Sequence, residues 1–175
     1  MTQNIKYLFL ILVLIVISCQ QSPQKNRETA EPKFDEISTY YFIRHAEKDT
    51  TDRENRNPTL TEEGKQRAEN WKNVFTAVDF DAIYSSDFIR TKATAQPTAQ
   101  SKGLKIEIYD HAKLNSEAFK KATKGKKVLV VGHTNTTPYF ANAVYGEEYF
   151  NNDIDEAEHG KLFIVQVRLH FHQGI

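Results

Sequence analysis

Two histidines, each placed where an apolar run gives way to a loop, are the residues of this chain best suited to chemistry. His45 stands in Arg44-His45-Ala46-Glu47, directly after Thr39-Tyr40-Tyr41-Phe42-Ile43. His133 stands in Gly132-His133-Thr134, directly after Val128-Leu129-Val130-Val131. In an open α/β sheet the carboxyl ends of parallel strands converge on one crevice, so a nucleophile and its partner can meet there despite their separation in sequence. Arg44 contributes a fork of donors suited to a phosphate, and Gly132 permits close backbone approach. Arg90, in Ser85-Ser86-Asp87-Phe88-Ile89-Arg90-Thr91, falls in the first turn of a helix that follows a strand. Alone it reads as a surface arginine. A helix amino terminus already favours negative charge, however, and a guanidinium can bind phosphate oxygens in bidentate fashion. With both histidine motifs beside it, the constellation points to chemistry on an anion.

The elements that must position these residues follow from pattern. Short β-rich runs alternate with segments of helical period, which predicts an α/β three-layer sandwich around a mostly parallel central sheet. Strands are expected at Thr39–Ile43, Ala82–Tyr84, Ile106–Tyr109 and Val128–Val131, with Leu162–Phe171 as an antiparallel edge. Leu60, Gly64, Ala68, Trp71, Val74, Phe75 and Val78 recur at helical spacing as a core-facing stripe, capped by Thr59 or Thr61. Asp87 or Ser86 is placed to cap a helix through about Lys102, which Pro97 should kink. Ser116–Thr123 reads as a short helix, and Asn135–Val144 as another with Pro138 in its first turn.

The 175 residues allow one domain, and Lys+Arg 23 against Asp+Glu 23 leave no global field to recruit nucleic acid or an acidic membrane surface. A single cysteine, Cys19, excludes an internal disulfide framework and a Cys-rich metal site. The apolar run Tyr7–Ile17 after Lys6 is too short to span a bilayer and reads as an export signal over residues 1–18, with an uncleaved short anchor as the alternative. Residues 19–37, polar and carrying Pro23 and Pro32, read as a flexible tether, and residues 38–175 as the domain. His111, His159, His170 and His172 show no metal spacing and read as structural or solvent-exposed. Glu47 and Lys48 border the first motif and could shape a pocket, but solvated loop residues are the default reading, and Asp49–Asn57 reads as a substrate rim.

Three ordered motifs resemble those of the histidine phosphatase superfamily, also called the phosphoglycerate mutase-like family. Arg44-His45-Ala46-Glu47 resembles its Arg-His-Gly-Glu signature with alanine for glycine. Ser85 to Ala95 resembles its Ser-x4-Arg-Thr-x2-Thr-Ala region, and Gly132-His133-Thr134-Asn135-Thr136 its Gly-His-x-Asn segment. The resemblance runs from about Thr39 to Leu169 and implies a phosphoglycerate mutase-like fold. It further implies that His45 attacks phosphorus to form a phosphohistidine, which water then hydrolyses. Arg44, Arg90 and a protonated His133 would bind the equatorial oxygens, with no metal and no cofactor. Leu114-Asn115-Ser116-Glu117 resembles a Leu-Asn-Glu segment of the mutases with the acid one residue later, which makes Glu117 the candidate general acid. Val16-Ile17-Ser18-Cys19 resembles the bacterial lipobox, which implies lipidation at Cys19 and a domain anchored in the bacterial cell envelope, facing the periplasm or exterior.

These readings converge on a metal-independent phosphatase acting on a phosphorylated small molecule or phosphoprotein. The chain between Arg90 and His133 is too short for a sizeable lid, which disfavours a mutase, since a mutase must retain its phosphorylated intermediate. From another class, a non-catalytic phosphate-binding lipoprotein is the alternative. Phosphohistidine trapping separates enzyme from binder.

Overall fold

The computed structural model describes residues 36–169; Cys19, the apolar leader, His170 and His172 lie outside the described residues. In chain order the described elements are β1 (Glu36–Arg44), α1 (Glu62–Val74), β2 (Ala82–Ser85), α2 (Ile89–Lys102), β3 (Ile106–Ile108), α3 (Glu117–Thr123), β4 (Lys127–Gly132), α4 (Thr137–Tyr145) and β5 (Leu162–Leu169). They form one sheet of order β3-β2-β4-β1-β5. β3, β2, β4 and β1 pair in parallel, and β5 closes the edge antiparallel to β1. β1 takes in Glu36 and Ile37, read above as tether, because they pair with Leu169 and Arg168.

Alternation along the central strands builds the layers. Tyr40, Phe42, Val128 and Val130 face α3 and α4 through Phe119, Phe140, Ala141 and Val144. Ile43, Ile83, Leu129 and Val131 face α1 and α2 through Trp71, Phe75, Ala95 and Ala99. Both faces of the parallel strands are covered, which gives the expected three-layer α/β sandwich. Each fully buried large apolar side chain contributes roughly 1.5–3 kcal/mol, and β1 and β4 carry several of them.

Several local expectations change. Thr61, not Thr59, caps α1, its hydroxyl accepting from Gly64 N–H at 3.0 Å. Val74 belongs to α1 yet is 59% exposed, so the helical stripe is narrower than its apolar residues suggested. Neither Asp87 nor Ser86 caps α2. Asp87 pairs with Lys92, and Asn57 in the preceding loop accepts from Ile89 N–H at 2.9 Å. The helix continues through Pro97 to Lys102 and ends at Gly103, whose φ of 64° lies in the left-handed region that glycine reaches without strain.

Candidate active site

β1 and β4 run in parallel with Arg44 opposite Gly132, so the chain leaves both strands at one level. His45 N–H donates to the Gly132 carbonyl at 2.9 Å, and the His45 and His133 rings lie 5.4 Å apart. A side chain at Gly132 would press on the Thr136 and Thr137 hydroxyls and on the Tyr109 hydroxyl, about 3.0 Å away, which is the close approach that the glycine permits. His45, Arg90 and His133 line one cleft of about 350 Å³, joined by Lys48, Phe88, His111, Asp153 and Glu156.

Hydrogen bonds fix the state of both histidines. His45 Nδ1 lies 2.7 Å from the Ala46 carbonyl, which can only accept, so Nδ1 carries the proton and Nε2 keeps its lone pair. Burial, opposed by that bond and reinforced by Arg90, His133 and Arg44, pushes His45 down to about 3. The ring is therefore neutral at physiological pH. His133 Nδ1 faces Arg90 Nη2 at 3.3 Å. A guanidinium only donates, so Nδ1 accepts, and Nε2–H donates to Ser86 Oγ at 2.8 Å. Burial and then Arg90, His111, Lys48 and Arg44 push His133 down to about 4. Burial among cations thus favours the neutral ring of His133 over the protonated form expected with a phosphoryl group bound.

Arg90 and Arg44 play different parts. Arg90 stacks over Phe88 at 4.5 Å, and its Nε and Nη1 are buried without a hydrogen-bond partner among the described residues. Buried donors of this kind are rare and suit an anion. Arg44 is 1% exposed; its Nε also lacks a hydrogen-bond partner among the described residues, but both terminal nitrogens are engaged. Nη1 donates to the carbonyls of Asp155, Glu156 and Glu158 at 3.0, 2.9 and 3.1 Å, and Nη2 bonds the Glu156 carboxylate at 2.6 Å. Arg44 thus anchors the 155–158 loop to the end of β1.

Glu117, the expected general acid, is not among the residues lining the cleft. It sits in the first turn of α3, its side chain 89% exposed and ion-paired to Lys120. Ser116 caps α3 by accepting from Phe119 N–H at 3.3 Å, and so the helix start fixes Glu117 in an exposed position. Glu47 is not a solvated loop residue either. Burial alone would raise its carboxyl, but hydrogen bonds from Arg67 at 2.7 and 2.9 Å hold it below its ordinary range.

Four further groups shape the site. Ser86, considered only as a cap, is buried and orients His133. Thr94 accepts from Ala46 N–H at 2.9 Å and donates to the Arg90 carbonyl at 2.8 Å, so one hydroxyl ties the first motif to the second. Thr94 lay inside the quoted Ser85–Ala95 pattern, which was its signal. His111 reaches the cleft mouth with its ring 6.4 Å from that of His133 and 5.7 Å from Phe88. His159 Nδ1 donates to the His45 carbonyl at 3.0 Å. Neither of these histidines carries a local sequence signal.

Residues 40–115 match the model of the histidine phosphatase superfamily (branch 1). The match covers the first two motifs and stops before His133. A comparison with curated proteins finds no match. Among solved structures, the SixA protein of Agrobacterium tumefaciens is similar with 24% identity and a TM-score of 0.51, over 62% of this chain and 77% of that one. The protein histidine phosphatase SixA in complex with tungstate aligns at 17% identity and a TM-score of 0.51, over 59% and 74%. A mycobacterial glucosyl-3-phosphoglycerate phosphatase in complex with VO3 aligns at 14% identity and 0.51, over 62% and 82%. These likenesses establish the α/β fold of the phosphoglycerate mutase and SixA proteins.

Proposed function

We propose that the chain is a metal-independent phosphatase that hydrolyses phosphomonoesters or other phosphoryl groups through a phosphohistidine at His45. The observation that carries this reading is the Nδ1–H bond to Ala46, which presents a neutral ring with a free Nε2 in a cleft where Arg90 holds unpartnered donors. The superfamily match over the first two motifs supports it. Nε2 attacks phosphorus, the P–N bond forms, and the bond to the leaving oxygen breaks. Arg90, Lys48 and His133 offset the charge on the transferred group, and the bound phosphoryl anion raises His133 towards its protonated form.

A leaving alkoxide needs a proton. With Glu117 outside the cleft, His111 supplies it, a reading supported by its place in the cleft lining. In the second half, neutral His111 takes a proton from water as its oxygen attacks phosphorus. The P–N bond breaks, and phosphate departs with His45 restored.

Rapid quenching of the wild-type protein with a radiolabelled phosphomonoester should trap label on His45, and His45→Ala should trap none and lose turnover. Label absent from wild type, with phosphate binding retained, would favour the non-catalytic binding protein. Turnover should persist in chelator; loss that returns with added metal would overturn metal independence.

We also propose that the domain is held in the cell envelope by lipid on Cys19, a reading supported by the Val16–Cys19 pattern after the apolar run. Cys19→Ala should release the protein from the membrane fraction or block its maturation. Unchanged fractionation and processing would favour an uncleaved anchor.

A further inference from the structure

The Glu156 carboxylate lines the cleft among cationic groups. Its Oε2 accepts from Arg44 Nη2 at 2.6 Å and lies 4.0 Å from Lys48 Nζ, and its Oε1 accepts from Thr134 Oγ1 at 3.3 Å. Those are three donors, two of them cationic, and a phosphoryl group is recognised by the same kind of set. The carboxylate lines the cleft that also holds His45, Arg90 and His133.

Two features mark it as displaceable. The Glu156 side chain is 68% exposed and that of Arg44 1%, so the carboxylate can turn into water at little desolvation cost while the guanidinium cannot. Arg44 Nη1 is held by three backbone carbonyls that do not depend on the Glu156 side chain, so the guanidinium stays in place when the carboxylate leaves. A buried guanidinium deprived of its counter-ion then favours another anion in the same place.

We infer that Glu156 is an affinity-determining residue of this cleft: its carboxylate occupies the Arg44 end of the anion site, a phosphoryl group binds by displacing it, and its return helps to expel product phosphate. The inference rests on the phosphatase reading of the cleft. It adds a counter-ion exchange at Arg44 to the chemistry at His45.

Glu156→Gln tests it, because the amide keeps the size and the accepting oxygen but removes the charge. Binding of orthovanadate and inorganic phosphate to the intact protein is measured by calorimetry and as inhibition of p-nitrophenyl phosphate hydrolysis. Both should tighten about tenfold, with KM falling and kcat lower as release slows. Glu156→Ala should tighten both anions too, since it also removes the competing charge. Unchanged or weaker binding in both variants would overturn the inference and make Glu156 a fixed staple of the 155–158 loop. Wild type that forms phosphohistidine while neither variant binds more tightly sinks this inference alone. Wild type and variants that bind neither anion and turn over no phosphate ester sink the phosphatase reading with it.

Discussion

At the residue scale, the site works by fixing which atom of each histidine holds a proton. A carbonyl opposite His45 Nδ1 and a guanidinium opposite His133 Nδ1 leave no choice of tautomer. The proposed proton donor, His111, makes ring contacts with Phe88 and His133. A general acid matters most when the leaving alkoxide is a strong base and little when it is a stable aryl oxide. His111→Gln should therefore slow alkyl phosphates by about a hundredfold and p-nitrophenyl phosphate far less. Initial rates on both substrates check this, and equal losses would remove His111 from the proton transfer. Glu117→Gln, at an exposed position paired with Lys120, should change neither rate.

At the element scale, the His45 loop is held from beneath by α1. Gly64, in the first turn of that helix, lies so close to the loop that a Cβ would meet the Glu47 carbonyl oxygen at 2.3 Å. Thr61 N–H donates to the same carbonyl at 3.0 Å, and Arg67 farther along α1 grips the Glu47 side chain. Gly64→Ala must push the helix and the loop apart, because the obstructing atom is backbone. It should cost about 1–3 kcal/mol, read as a lower urea midpoint, and should reduce turnover more than the stability loss explains. A variant as stable and as active as wild type would show that the loop does not depend on this contact.

At the scale of the whole molecule, two buried neutral histidines tie stability to pH. Their folded values, about 3 for His45 and about 4 for His133, lie below the unfolded value near 6.5. Between those limits the unfolded chain binds more protons, so their contribution is fully present above about pH 6.5 and is lost progressively as pH falls towards about 3. Urea denaturation should show stability dropping from pH 7.5 to pH 5. The double variant His45→Gln, His133→Gln should flatten that drop. An identical pH slope in the variant would assign the acid sensitivity to other groups.

Local pattern determined much of this protein. The apolar runs Thr39–Ile43 and Val128–Val131 become the central pair β1 and β4 because both faces of a parallel strand are buried, and such runs are legible residue by residue. Histidines at their ends, with Arg90 after β2, had to converge once the strands were parallel neighbours. What the tertiary structure alone decided are contacts made by segments with no periodicity of their own. The 153–159 loop delivers Glu156 to Arg44 and His159 to the His45 backbone, and β3 delivers His111 to the cleft mouth. A capping serine turned Glu117 outward, where a motif alone had pointed to the cleft. Protonation was equally beyond the sequence, since the charge of a histidine depends on how deeply it is buried and on which donors face it, and neither is a local property of the chain.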